Sequence, residues 1–179
     1  MRGCRRQRSS MFRRLLEIGP AFLIPAAWGV VIATRLDIIT TRPVFVMHGV
    51  MCVLLVAFAV TSWHEMEAGV LRIWRRVILA GTPFAFVGLA GFLAPTGSTV
   101  LFAVALAGWI FVPAVGFVFT ARAVTAGARI YLVGAALCLL GAGFYAFGAG
   151  SEYASISTLG LASVAVGQTA GILDAVVRY

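Results

Sequence analysis

Residues 43–63 read PVFVMHGVMCVLLVAFAVTSW, and this stretch decides the class of fold. It is a nearly unbroken apolar run of roughly 21 residues, which is long enough for a helix to cross a bilayer. The run contains His48, the one histidine inside any apolar segment of the chain. A titratable side chain at membrane depth is costly unless it is hydrogen-bonded, paired or bound to a ligand. His48 is therefore the first candidate for a functional residue.

The composition of the whole chain points to the same class. Of the 179 residues, 61% are hydrophobic and 11% are charged, and the mean hydropathy is +1.02. Soluble domains carry about 25% charged residues, so this composition predicts a polytopic integral membrane protein in a lipid bilayer. The formal charge is +8, and every basic residue is an arginine. Because the arginines lie at the ends of apolar runs, no nucleic-acid partner is predicted.

Apolar runs separated by short polar connections predict an all-α bundle of six transmembrane helices. A basic segment, residues 1–17, precedes a transmembrane domain that occupies residues 18–179, and translation starts at Met1 or at Met11. Residues 64–76 either extend the second helix or lie along the membrane surface. The six helices are predicted at 18–34, 43–63, 77–95, 99–120, 130–150 and 155–177.

The distribution of arginines predicts how this bundle is oriented. Cytoplasmic segments of membrane proteins carry an excess of arginine and lysine. With a cytoplasmic N-terminus, only Arg35 and Arg42 fall in predicted outer loops. The inner segments then hold Arg2, Arg5, Arg6, Arg8, Arg13, Arg14, Arg72, Arg75, Arg76, Arg122, Arg129 and Arg178. We therefore predict a multi-pass protein of the plasma membrane with both termini in the cytoplasm.

Glycines at regular spacing mark the last two predicted helices. They are Gly134, Gly141 and Gly148 in the fifth helix, and Gly160, Gly167 and Gly171 in the sixth. Close packing of small residues holds helices together in lipid, so these faces predict either contact between the two helices or a homodimer interface. We also expect Gln168 to hydrogen-bond across helices, and Asp174 to pair with Arg178 at i, i+4.

The residues around His48 resemble a known family. The sequence Phe45-Val46-Met47-His48-Gly49 is similar to the Phe-x-Met-His-Gly pattern at the outer end of the second helix of haem–copper oxidase subunit I. In that family the histidine ligates the low-spin haem, so the resemblance implies a haem-binding membrane protein with His48 as an axial ligand. The match covers about five residues. The chain lacks the family's copper-binding histidines and its histidine–tyrosine pair, so the resemblance does not imply oxidase activity.

The second axial position of such a haem has few candidates. His64 would lie at the opposite membrane face, about 24 Å along the helix from His48. Tyr145 lies in the fifth predicted helix at a depth similar to that of His48, and tyrosine ligates haem in other proteins. The options are a five-coordinate haem, a haem shared by two copies of His48 in a dimer, or no haem.

Three functions remain open from the sequence. The first is the haem-binding protein, and the second is a small dimeric transporter or channel with a path lined by His48, Gln168 and small residues. The third is a non-catalytic accessory subunit of a larger membrane complex. For His48 itself, the alternatives to haem ligation are a hydrogen bond to a neighbouring helix and a role in proton relay or substrate binding. No nucleophile–base pair, phosphate-binding loop or metal motif predicts an enzyme, so we name no catalytic residue.

Overall fold

The structure is a computed structural model that describes residues 22–61, 63, 66–151 and 153–178. Over these residues it contains six helices and no β-strand, which confirms the predicted all-α fold. The helices are α1 (Phe22–Arg35), α2 (Arg42–Thr61), α3 (Gly69–Leu93), α4 (Ser98–Ala123), α5 (Ala128–Ala149) and α6 (Ala154–Arg178).

Five of these helices, α2 to α6, are long and apolar enough to cross a membrane, as expected for a multi-pass membrane protein. Over its described residues α1 is a shorter apolar helix. The start of the predicted first span and the basic segment, together residues 1–21, lie outside the described residues, as does His64.

The third helix differs most from its predicted bounds, because α3 begins at Gly69, two turns before residue 77. The sequence predicts that residues 64–76 extend the second helix or lie on the membrane surface, since three arginines interrupt the apolar pattern. Arginine stems can lie along apolar surface while their guanidinium groups reach water, so a helix can begin in the headgroup layer. Trp74 fixes this first part of α3, because its ring packs edge-on against Phe117 of α4 with the centroids 5.5 Å apart. Four other helices, α2, α4, α5 and α6, begin and end within three residues of the predicted stretches 43–63, 99–120, 130–150 and 155–177.

The bundle is built around α4, which packs against α3, α5 and α6. The buried core lies between α1, α4, α5 and α6 and includes Trp28, Phe117, Tyr131, Leu161 and Val164. Among α2 to α6, α2 packs only on α3 within the described residues. Only 6% of the apolar window of α2 is buried, against 39% of that of α4, so α2 is the peripheral helix of the five.

The regularly spaced glycines of α5 and α6 lie in the interface between these two helices within one chain. A Cβ atom built on Gly141 would stand 2.5 Å from the carbonyl oxygen of Gly160. One built on Gly167 would stand 2.7 Å from the carbonyl oxygen of Gly134. Gly171 instead receives the Phe117 ring of α4. Because the backbones of α5 and α6 touch at Gly141 and Gly167, no side chain can be added at these two positions without separating the two helices.

The two ends of the bundle differ in charge. The arginine-rich end holds the starts of α3 and α5 and the ends of α4 and α6, with Arg72, Arg75, Arg76, Arg122, Arg129 and Arg178. The arginine-poor end holds Arg35 and Arg42 among the described residues. At the arginine-rich end Arg178 donates a 2.7 Å hydrogen bond to Asp174, which confirms the predicted i, i+4 ion pair.

Candidate functional site

His48 lies on the face of α2 that packs against α3. Its side chain is half-buried, and the Cδ2 and Nε2 atoms of the ring lie against Gly88. A Cβ atom built on Gly88 would stand 2.6 Å from both ring atoms, so only glycine leaves room for the imidazole there. The seven-residue spacing of Gly81 and Gly88 marks a small-residue face of α3, but it does not identify the side chain that this face meets.

A group of aromatic rings adjoins the imidazole on the side towards the arginine-poor end, with Phe92 in direct contact with it. The Phe92 ring of α3 lies 5.6 Å from the imidazole, centroid to centroid. Phe45 of α2 and Phe102 of α4 lie 5.5 Å and 4.7 Å from Phe92. All three contacts are edge-to-face, an arrangement that aromatic rings favour. We call Phe45, Phe92 and Phe102 the aromatic cluster.

A hydrogen bond within α2 sets the tautomer of His48. Its Nδ1 atom lies 3.0 Å from the carbonyl oxygen of Val44. A carbonyl can only accept, so this bond assigns a proton to Nδ1, and in the neutral tautomer Nε2 is then the acceptor. Nε2 has no hydrogen-bond partner among the described residues, and the bond that we expected to a neighbouring helix is absent from that part of the chain.

The Cδ2 and Nε2 edge of the His48 ring lies against α3 at Gly88. Haem ligation by His48 stays a prediction. Within the described residues there is no group of three or more histidine, cysteine, aspartate or glutamate side chains that could hold a metal ion.

Tyr145, the candidate for the opposite axial position, lies on a helix that does not pack against α2 within the described residues. It is on α5, where its backbone packs against Gly160 of α6. In the described part of the chain α5 contacts α4 and α6 but not α2. The structure therefore does not bring Tyr145 and His48 together.

Gln168 forms a separate buried polar cluster and makes the interhelical hydrogen bonds that we expected. Its Oε1 atom accepts a 3.0 Å bond from the indole Nε1 of Trp28 on α1, and its Nε2 donates a 2.7 Å bond to the carbonyl oxygen of Trp109 on α4. These partners could not be predicted from the sequence, since any backbone carbonyl can accept. Gln168 of α6 therefore hydrogen-bonds to α1 and α4, in an interface different from the one that holds His48.

Comparisons with protein-family models, with curated proteins and with solved structures gave no match for this chain. The case for a function therefore rests on the geometry of His48 and its surroundings.

Proposed function

We propose that this chain is a binding protein of the plasma membrane, and that His48 accepts a hydrogen bond from a small lipid-soluble ligand. The observation that carries the proposal is the hydrogen bond between Nδ1 and the Val44 carbonyl, which leaves Nε2 as the acceptor of the ring. No described residue donates a hydrogen bond to Nε2. A polar atom without a partner at membrane depth is costly, so a ligand with a hydroxyl or N–H donor would be stabilised there.

The surroundings of Nε2 favour a ligand with a flat aromatic ring. The aromatic cluster offers ring edges and faces beside the imidazole. Edge-to-face contacts with a ligand ring add to the area that the ligand buries. A hydroquinone has the required combination, because its hydroxyl groups donate hydrogen bonds and its ring is apolar. The corresponding quinone has a flat ring of the same size that is not aromatic and carries no hydroxyl donor, so the comparison with His48→Ala isolates the hydrogen bond.

The arginines support an orientation for this site. We propose that the arginine-rich end faces the cytoplasm, because most of the described arginines lie at that end and cytoplasmic segments carry an excess of arginine. His48 lies six residues after Arg42, where α2 begins at the arginine-poor end, or about 9 Å along the helix. The ligand would then enter from the outer leaflet, at the depth of the aromatic cluster.

The proposal is tested by titrating the full chain in lipid nanodiscs with a short-chain benzohydroquinone and with its quinone. We expect the hydroquinone to bind about fivefold more tightly, and His48→Ala to abolish that difference, since one hydrogen bond is worth on the order of 1 kcal/mol. His48→Gln should keep part of the preference, because its amide oxygen can accept. Gly88→Ala should lose it, because the added methyl group displaces the imidazole, whereas Gly49→Ala adds a methyl group in open space and should not.

Two results would contradict the proposal. Equal binding of hydroquinone and quinone by the wild-type chain would show that no donor is recognised. A Soret band in protein purified from haem-supplemented cells, lost in His48→Ala, would show that His48 ligates a haem after all; we expect a colourless protein. The dimeric transporter and the accessory subunit stay predictions, because the described residues offer no specific observation in favour of either.

A further inference from the structure

A second feature of the molecule lies at the opposite end from the aromatic cluster. A groove of about 460 Å³ runs between residues 68–71 at the start of α3 and residues 123–125 at the end of α4. We call it the α3–α4 groove. It opens at the arginine-rich end and is independent of His48.

The charges around the α3–α4 groove are predominantly positive. Arg72 directly follows its α3 wall, Arg122 directly precedes its α4 wall, and both side chains are exposed. Glu67 is the one acidic residue that adjoins the walls among the described residues. Arg75 is engaged elsewhere, since it donates a 3.1 Å bond to the Trp63 carbonyl and lies 4.6 Å from the centre of the Trp63 ring. Arg72 and Arg122 are therefore the charges available to an occupant.

The depth of the groove matches the headgroup layer of a membrane. α3 has 25 residues. Such a helix is about 37 Å long, which exceeds a hydrocarbon core of roughly 30 Å. Its first turns, which carry arginines, therefore lie among the lipid headgroups. Val70, Leu71 and Val124 supply apolar walls, and the first N–H groups of α3 have no acceptor within the helix. These groups suit a molecule that is anionic at one end and apolar at the other.

We propose that the α3–α4 groove binds the headgroup of an anionic phospholipid, with Arg72 and Arg122 on either side of the phosphate. Basic pockets between transmembrane helices are suited to such headgroups, because each arginine near a membrane surface favours an anionic lipid. The complementarity of charge and the position in the headgroup layer select this occupant over a neutral lipid.

The test is native mass spectrometry of the full chain in detergent, titrated with phosphatidylglycerol and with phosphatidylcholine of the same acyl chains. We expect the first phosphatidylglycerol to bind at least about tenfold more tightly than phosphatidylcholine, and the double variant Arg72→Gln/Arg122→Gln to lose this preference. Arg42→Gln, at the arginine-poor end, is the matched charge control and should keep it. Thr125→Trp fills the groove from an exposed loop position without changing charge, and should weaken the binding as well.

Several outcomes would overturn this proposal. They are an equal affinity for the two lipids, a loss in Arg42→Gln as large as that in the double variant, and unchanged binding by Thr125→Trp. Displacement of the lipid by inorganic phosphate alone would indicate a site for free anions instead, and would also overturn it.

Discussion

Gly141→Ala should destabilise the bundle by on the order of 3 kcal/mol, which is the upper end of the cost of overpacking. The new Cβ atom would stand 2.5 Å from the carbonyl oxygen of Gly160 and 2.6 Å from Val164 Cγ2. The carbonyl belongs to the backbone of α6 and cannot rotate away, so the two helices must separate along their interface. The free energy of unfolding can be measured in bicelles by steric trapping or in mixed micelles by titration with SDS.

The matched control for this substitution lies two residues away on the same helix. Gly143 has no atom within 4 Å of the position that a Cβ would take, so Gly143→Ala adds the same methyl group in open space. We expect it to be neutral or slightly stabilising, because alanine favours a helix more than glycine does. Equal stability of the two variants would show that α5 and α6 do not touch at Gly141.

Gln168→Leu should destabilise the protein by about 2 kcal/mol. Leucine fills a similar volume but removes the acceptor of the Trp28 indole and the donor to the Trp109 carbonyl. The Trp28 N–H is then left without a partner in an apolar core, and the hydrogen bond between α1 and α6 at Gln168 is lost. The free energy of unfolding, measured by the same method as for Gly141→Ala, checks this result.

Ser163→Ala is the control on the same helix, because the Ser163 hydroxyl donates only to the Leu159 carbonyl of its own helix. We expect its effect to be within about 0.5 kcal/mol. A double-mutant cycle with Trp28→Phe isolates the bond between Gln168 and the indole, and it should give a coupling of about 0.6 kcal/mol or more. No coupling in the cycle would mean that the hydrogen bond does not form.

The parts of the structure that followed from the sequence are those that depend on local spacing. The i, i+4 spacing of Asp174 and Arg178 was enough to predict their ion pair, because the helix alone brings the two side chains together. The seven-residue spacing of Gly134 and Gly141 likewise marked one face of α5, and that face meets α6. The all-α class followed from the length and apolarity of the runs.

The features that did not follow depend on which helix faces which. Lipid is as apolar as the protein core, so a transmembrane helix does not mark its buried side by a polar–apolar pattern. The sequence therefore did not show that His48 would meet Gly88 of α3 and not a residue of α5 such as Tyr145. The early start of α3 was missed because its arginines resemble the end of a span, although their stems can lie along apolar surface.

The state of the His48 ring is the most direct test of the proposed ligand site. The chain has 2 histidines, so His64→Gln leaves His48 as the single one, and its ring nitrogens can be labelled with ¹⁵N. Nitrogen NMR of this variant in nanodiscs should show a protonated Nδ1 and an unprotonated Nε2 without ligand. Addition of the benzohydroquinone should shift the Nε2 resonance in the direction of an accepted hydrogen bond, and the quinone should leave it unchanged. A proton on Nε2 without ligand, or an Nε2 resonance that does not respond to the hydroquinone, would contradict the assignment of His48 as the ligand-binding residue.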